Sequence, residues 1–506
     1  GTLQVTSGGQ VANIHGYIGQ QINSTGNVHV NGTGSGWTNA GDLYVGDAGF
    51  GTLTISGGGQ VSSSKGHAGF YSGSTGNVTV EGTGSNWTNS SNLYVGAAGN
   101  GTLQVTSGGQ VANIHGYIGL QMGATGSVAV DGVGSQWTNT GDLYVGDAGA
   151  GSLSITGGGQ VSSTFGGVGQ RTGSSGNVTI SGDGSTWATS NDLCIGGNNT
   201  DAGGAGTVDV TDGAQLTVAG TLRFWLANST LNVNGGNAST GALAGTGTIR
   251  IGGAPGSPGL VVGSGIDSAF SGTIGDGDAP GSLLKIGSGT LFLSGQNIYS
   301  GGTTVQVGSL LATNTTGSAT GTGDVHVQDG ATIGGNGTIG AVGKTVTIES
   351  GGILAPGTSP GTLAVSGDLN LDADAILSFE LNDPVNSLLA SDMVTVGGTL
   401  CIQPGVQLDV DLQNGYTPKL GDHWTLMEYT ALSGDPDDIT VRSTLSDPDL
   451  SYAIATSGNS LVLSVVPEPA TIVGLVSCLL AFGGVYWCRR RRSTTCDSEP
   501  GPFFIE

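Results

Sequence analysis

The sequence predicts an all-β fold, a parallel β-solenoid rod followed by a single C-terminal transmembrane helix. Three observations predict it. Glycine makes up 100 of the 506 residues while Asp, Glu, Lys and Arg together reach only 9%, a balance unlike that of an ordinary globular enzyme. The segment GTLQVTSGGQVANIHGYIG occupies 1–19 and recurs unchanged at 101–119. A run free of charged side chains, 469–488, is followed at once by four arginines.

The glycine content fits neither collagen, whose glycine recurs at every third position, nor a disordered chain, which would lack these alternating runs of branched residues. Aligned on Trp37, Trp87, Trp137 and Trp187, residues 1–200 divide into four 50-residue units arranged as a duplicated pair. In the first unit TLQVT, GQVAN, GYIG, GNVHV, GSGWT and DLYVG read as short strands, each broken by glycine or asparagine. Six strands per unit make two coils of three. In a parallel β-helix each strand bonds to its equivalent one coil away, at about 4.8 Å, so identical repeats stack identical side chains. Leu3, Val5, Val28, Val30, Trp37, Leu43 and Val45 then point inward, and the Thr, Ser, Asn and Gln between them face water. The tryptophans read as a buried stack in preference to a sugar platform. At roughly 20–25 residues per coil, a body of ~460 residues would form a rod on the order of 90 Å long.

Residues 201–360 continue the solenoid, less regularly near 201–280, and 361–465 form an acidic C-terminal β region. The segment 368–449 holds fifteen of the 36 acidic residues, among them Asp368, Asp372, Asp374, Asp435, Asp437 and Asp438. They read as a solvated rod end, with weak divalent-ion binding as the alternative. A net charge of −24, with only eight scattered cations before residue 466, excludes the basic stripe that nucleic-acid binding requires. Cys194 and Cys401 alone lie in the body, so no disulfide framework or thiolate metal site is readable. The sequence starts inside a repeat without an initiating Met, so an export signal is expected upstream.

The run 469–488 is about long enough to cross a hydrocarbon core as a helix. It is apolar on every side, where a buried core helix would show a polar face. Arg489, Arg490, Arg491 and Arg492 hold its end in the cytoplasm and place everything before residue 466 outside. Pro467, Glu468 and Pro469, then the span 470–488, then the arginine cluster resemble, in that order, the PEP-CTERM sorting signal, here 466–492. The resemblance implies processing by an exosortase, a membrane-embedded cysteine transpeptidase of Gram-negative bacteria. It would cleave near Pro-Glu-Pro and pass the protein from an inner-membrane anchor to the cell surface or extracellular matrix. The cytoplasmic tail 493–506 is longer than that family usually carries, and a plain stop-transfer anchor with a stiff Pro-Glu-Pro linker is the alternative.

The 50-residue units also resemble repeats shared by PEP-CTERM proteins and bacterial autotransporters, through GTLxIxxGG, GxGSxWT and DLYVG. KIGSGTLFLSGQNIYSGGTTVQVGSLLAT at 285–313 is similar to the autotransporter-associated β-strand repeat, and GGILAPGTSPGTLAVSGDLNL at 351–371 to the last part of an autotransporter passenger. These resemblances imply a right-handed parallel β-helix. An Arg-ended helix where such proteins carry a membrane barrel implies a separate secretion step.

An enzymatic β-helix would need carboxylates clustered with a base or cation beside them. His15 and His115 share a position filled elsewhere by Lys65 and Phe165, and His29, His67, His326 and His423 stand alone, so they read as solvent-facing. Asp42 and Asp47 lapse to Asn92 and Ala97 in the second unit, which suits turn residues better than calcium ligands. No catalytic residue, metal ligand or cofactor is assigned. The function predicted is that of an exported structural or adhesin-like surface protein. Its partners are the exosortase, the membrane through 470–488, and an exopolysaccharide or cell-surface glycan. Two competitors are kept. Convergent carboxylates in a groove would favour a polysaccharide-degrading β-helix, and Tyr44, Tyr94 and Tyr144 on one exposed face would favour a polysaccharide-binding adhesin. Cys194 in the tyrosine position of the fourth unit argues for loose packing there.

Overall fold

The computed structural model describes residues 1–468, apart from 254–257, 264, 359 and 386–390. The first unit forms six strands: β1 (Thr2–Thr6), β2 (Gln10–Asn13), β3 (Gly16–Ile18), β4 (Thr25–Asn31), β5 (Gly36–Asn39) and β6 (Leu43–Val45). These are two coils of three strands. Leu3 of β1 lies opposite Val28 of β4, Val11 opposite Trp37, and Tyr17 opposite Tyr44, all in parallel pairing. The pattern repeats through 200 and goes on without a break, since Ser175–Ser181 pairs with Ala205–Thr211. The end of the 50-residue repeat is therefore not the end of the coil.

Glycine closes the corners. Gly46 follows β6 at φ +70° and its copies Gly96, Gly146 and Gly196 lie at +75°, +74° and +77°. That left-handed backbone is costly for residues with a Cβ. A Cβ on Gly46 would also collide with the Thr75 carbonyl of the next coil.

The chain packs into two compact units, 1–284 with 298–300, and 285–297 with 301 onward. In the first, twelve long strands form one parallel sheet that runs from β1 to Thr273–Asp276. Their inner residues, from Val30, Ile55 and Val80 on to Val210 and Ile251, are fully buried. Each such side chain contributes about 1.5–3 kcal/mol of burial. Of the seven residues expected inside, six are buried; Leu3 is 37% exposed because β1 has a strand on one side only. Its copies Leu53, Leu103 and Leu153 are covered by strands on both sides and are buried.

The tryptophans are buried as expected, but they do not stack on one another. Register sets each against a valine: Trp37 between Val11 and Val61, Trp137 between Val111 and Val161. The two coils of a unit differ in sequence, so large and small residues alternate along the axis and fill the interior without crowding. The ring also needs a glycine beside it. A Cβ on Gly116 would lie 2.7 Å from Trp137 Cζ2 and 3.0 Å from Leu143 Cδ1.

Behind Trp37 and Trp137 runs a ladder of core amides. Trp137 Nε1 donates to Asn113 Oδ1 (2.7 Å), Asn113 Nδ2 to Asn139 Oδ1 (2.6 Å), and Asn139 Nδ2 to the Ser162 carbonyl (3.2 Å). The second unit carries Ser63 where the first has Asn13. Its hydroxyl bonds Asn89 at 2.7 Å but does not reach the ring, and Trp87 Nε1 and Asn89 Nδ2 are left without partners among the described residues. Replacing Ser63→Asn is expected to restore the ladder of units one and three and to raise stability by about 1 kcal/mol. Thermal unfolding of the variant beside the parent checks this, and an unchanged or lower midpoint would count against it.

In the C-terminal compact unit Thr290–Leu293 pairs in parallel with Ser309–Ala312, and that strand with Thr332–Gly335. Thr332–Gly335 pairs in turn with Ile353–Pro356, and so on through Gln407–Leu412. Then the pairing changes sign. His423–Ser433 is parallel to Met393–Ile402 on one side but antiparallel to Ser460–Pro467 on the other, and Ser460–Pro467 forms a hairpin with Leu450–Ser457. The hairpin covers an edge that would otherwise offer unpaired backbone groups. Leu461, Leu463 and Val465 bury its inner face. The acidic region thus belongs to the strand ladder. Two of its carboxylates hold backbone: Asp368 accepts from the Thr399 N–H at 2.6 Å where the neighbouring strand shifts register, and Asp435 from the Asp437 N–H at 3.1 Å in a short turn.

No helix among the described residues is long and apolar enough to cross a membrane. The span predicted at 470–488 lies outside the described residues, as do Pro469, the four arginines 489–492 and the tail 493–506.

Candidate functional site

Strands β3 and β6 are three residues long, and alternation sends their outer residues inward and the central one out. In β6 Leu43 and Val45 are buried, and Tyr44 stands on the outer face. Register then places one outward ring above the next. Tyr17, Tyr44, His67, Tyr94, Tyr117 and Tyr144 follow each other at centroid distances of 5.0, 4.7, 4.8, 5.0 and 5.0 Å, with planes 5 to 26° apart. These spacings follow the coil rise of about 4.8 Å. Each contact adds about 0.5–1.5 kcal/mol beyond area burial.

Tyr44, Tyr94 and Tyr144 therefore do line one face, but from Tyr44 to Tyr117 each ring is stacked on both sides. Only edges meet solvent along the row, and Tyr17, 46% exposed, begins it. With these faces covered, the stacked row stiffens the coil wall. Three of the hydroxyls are held as well: Tyr44 donates to Asp42 at 3.3 Å, Tyr144 to Asp142 at 2.9 Å, and Asn92 donates to the Tyr94 hydroxyl at 2.9 Å. Burial first, then the charge of Asp42 and the hydrogen bond to it, push the Tyr44 phenol up to about 12. In the fourth unit Gly167 and Cys194 take the ring positions. Cys194 is fully buried with its Sγ 3.4 Å from Asn199, so the site is tight where sequence suggested looseness.

His67 corrects a second expectation. It is 6% exposed, sandwiched between Tyr44 and Tyr94 and met edge-on by Phe70 at 4.8 Å. Burial pushes its imidazole down to about 4, Lys65 adding to the shift and Asp42 opposing it. Nothing in the strand GHA reports this alone; the signal is the register, which aligns GYIG with DLYVG. His29, His326 and His423 are exposed as expected, His326 3.3 Å from Glu349. His15 and His115 each accept the backbone N–H of Asp42 or Asp142 at 3.0 Å. Asp47 and Asp147 stand in the bends after their strands and are nearly buried, and Asp147 pairs with Arg171 at 3.1 Å.

Of the predicted sorting signal, Pro467 and Glu468 are described. Pro467 ends the last strand opposite Leu450, and the Glu468 N–H donates to the Asp449 carbonyl at 2.8 Å. The motif thus begins where the hairpin ends.

The chain matches the family model of the Passenger-associated-transport-repeat over residues 283–312, the segment in which the β-strand repeat was expected. Over 148 residues it is 35% identical to the adhesin BmaC autotransporter of Brucella suis biovar 1 (strain 1330), a match covering 28% of this chain and 4% of that protein. Over 202 residues it is 28% identical to an extracellular serine protease of Serratia marcescens, covering 39% and 18%. The chain thus matches less than a fifth of the length of either relative. Against the crystal structure of the Haemophilus influenzae Hap adhesin the TM-score is 0.20 at 12% identity, covering 88% of this chain and 64% of that one, a likeness too slight to bear on the fold. The chain carries autotransporter-type repeats within a parallel β-solenoid.

Proposed function

We propose that this protein is an exported structural, adhesin-like β-solenoid of the cell surface or extracellular matrix, sorted by an exosortase through Pro467, Glu468, Pro469 and the arginines 489–492. The register carries the reading. From Thr2 and Asn27 to Thr248 and Thr273, twelve successive strands set Thr, Ser or Asn at one outward position. Such a surface repeats one weak contact many times, which builds avidity. Catalysis instead needs unlike groups converging on one point. Similarity to an adhesin over 148 residues supports the same reading.

Sorting fits the hairpin. Cleavage just after Glu468 would leave Ser460–Pro467 whole and the solenoid edge covered. The test is the intact mass of protein recovered from the native cell surface, with and without the exosortase. We expect loss of everything after about residue 469 only when the enzyme is present, with the upstream strands still protected from protease. An uncleaved chain in both strains would leave a membrane-anchored solenoid and remove the sorting role.

A further inference from the structure

The C-terminal compact unit holds a polar cleft of about 400 Å3 between two loops, one at Asn382 and Asp383, the other over Gln413, Asn414, Tyr416, Thr417 and Lys419. Its volume lies within the range of roughly 300–1,000 Å3 typical of small-molecule sites. The frame is fixed. Asn414 Nδ2 donates to Asn382 Oδ1 at 2.7 Å, and Trp424 Nε1 to the Asn382 carbonyl at 2.7 Å. Tyr416 donates its hydroxyl to Asp422 at 2.5 Å, its ring set edge-to-face against buried Trp424 at 6.4 Å, so an aromatic wall is held in place.

The lining keeps hydrogen-bonding capacity unspent. Gln413 uses its amide nitrogen on Asp411 (2.8 Å) and Asp383 one oxygen on the Val385 N–H (2.9 Å). The Gln413 and Asn414 side-chain oxygens, the second Asp383 oxygen, the Thr417 hydroxyl and Lys419 Nζ have no partner among the described residues. Acceptors and donors stand together beside an aromatic ring. A ligand matching them carries hydroxyls that both donate and accept, and C–H faces for the ring. The chain's net charge of −24, with Asp383 in the lining and Asp422 behind it on the Tyr416 hydroxyl, works against an anionic ligand.

We infer that this cleft binds a neutral hexopyranose unit of a glycan. The inference rests on the surface-contact reading only for where the glycan comes from; binding by the cleft is measured apart from sorting.

The test is calorimetric titration of the full chain with maltohexaose, with cellohexaose, and with a galacturonate hexamer as the anionic probe. At least one neutral hexaose should bind saturably, and Gln413→Ala/Lys419→Ala should weaken it at least tenfold at an unchanged unfolding midpoint. Thr417→Val, a second exposed lining variant, should weaken it severalfold and stands in if the double variant unfolds. Absence of saturable heat with both neutral probes at millimolar concentration overturns the inference. So does affinity unchanged by the variants, or preference for the galacturonate.

Discussion

Trp137→Ala is expected to cost about 3–5 kcal/mol through lost burial and the cavity left behind. The ring is fully buried between Val111 and Val161, and Gly116 and Leu143 pack against its edge. Removing the indole also strips Asn113 Oδ1 of its donor, and an orphaned buried acceptor costs about 1–3 kcal/mol more. The loss should be local before it is global, because each coil of a solenoid rests on its neighbours. Hydrogen exchange should show Gln110–Asn113, Gln136–Asn139 and Gln160–Ser163 losing protection first. Trp137→Phe keeps most of the apolar area and should lose roughly half as much. A total effect of Trp137→Ala below about 1 kcal/mol would mean that the alternation of tryptophan with valine is not what fills this core.

That alternation shows where sequence stops being legible. Identity between 1–19 and 101–119 exposes the 50-residue period, and glycine and asparagine mark the strand ends, so two coils per unit could be read directly. Which residue of GGQVAN lies over which of GSGWTN could not, because the two coils of a unit are different sequences. Pairing alone puts Val11 beside Trp37 and Tyr17 beside Tyr44. His67 read as solvent-facing for the same reason: its burial comes from the rings of Tyr44, 23 residues before it, and Tyr94, 27 residues after it, and from Phe70. Beyond residue 200 the period dissolves, Val178 facing Val208 but Leu231 facing Ile249, and register had to come from tertiary pairing. The polar cleft was wholly invisible, since Asn382 and Tyr416 lie on loops that no repeat relates.

The N-terminal compact unit should lose stability in acid through His67. Its folded imidazole titrates at about 4 against an ordinary value of 6.5, so between these limits the unfolded chain takes up a proton that the folded one refuses. Stability is therefore full above pH 6.5, falls as pH drops toward about 4, and levels below. The loss amounts to on the order of 3 kcal/mol, at ~1.4 kcal/mol per pH unit. The cause is geometric. The imidazole lies between two tyrosine rings with Phe70 across its edge, and its buried Nδ1 has no partner among the described residues, so a proton held there would find neither water nor an acceptor. The protein itself supplies the control: the third unit carries Tyr117 and Leu120 where the second carries His67 and Phe70. The pair His67→Tyr/Phe70→Leu should fold at pH 7, continue the tyrosine row, and remove this part of the acid sensitivity. Phe70→Leu alone should open the imidazole edge to water and shrink the effect without abolishing it. The measurement is the denaturation midpoint of Phe50–Ser56 through Asn100–Thr106 by hydrogen exchange, at pH 7 and pH 4.5. If the parent and the double variant lose equal stability between these values, the imidazole is not the group that titrates, and the spine is indifferent to acid.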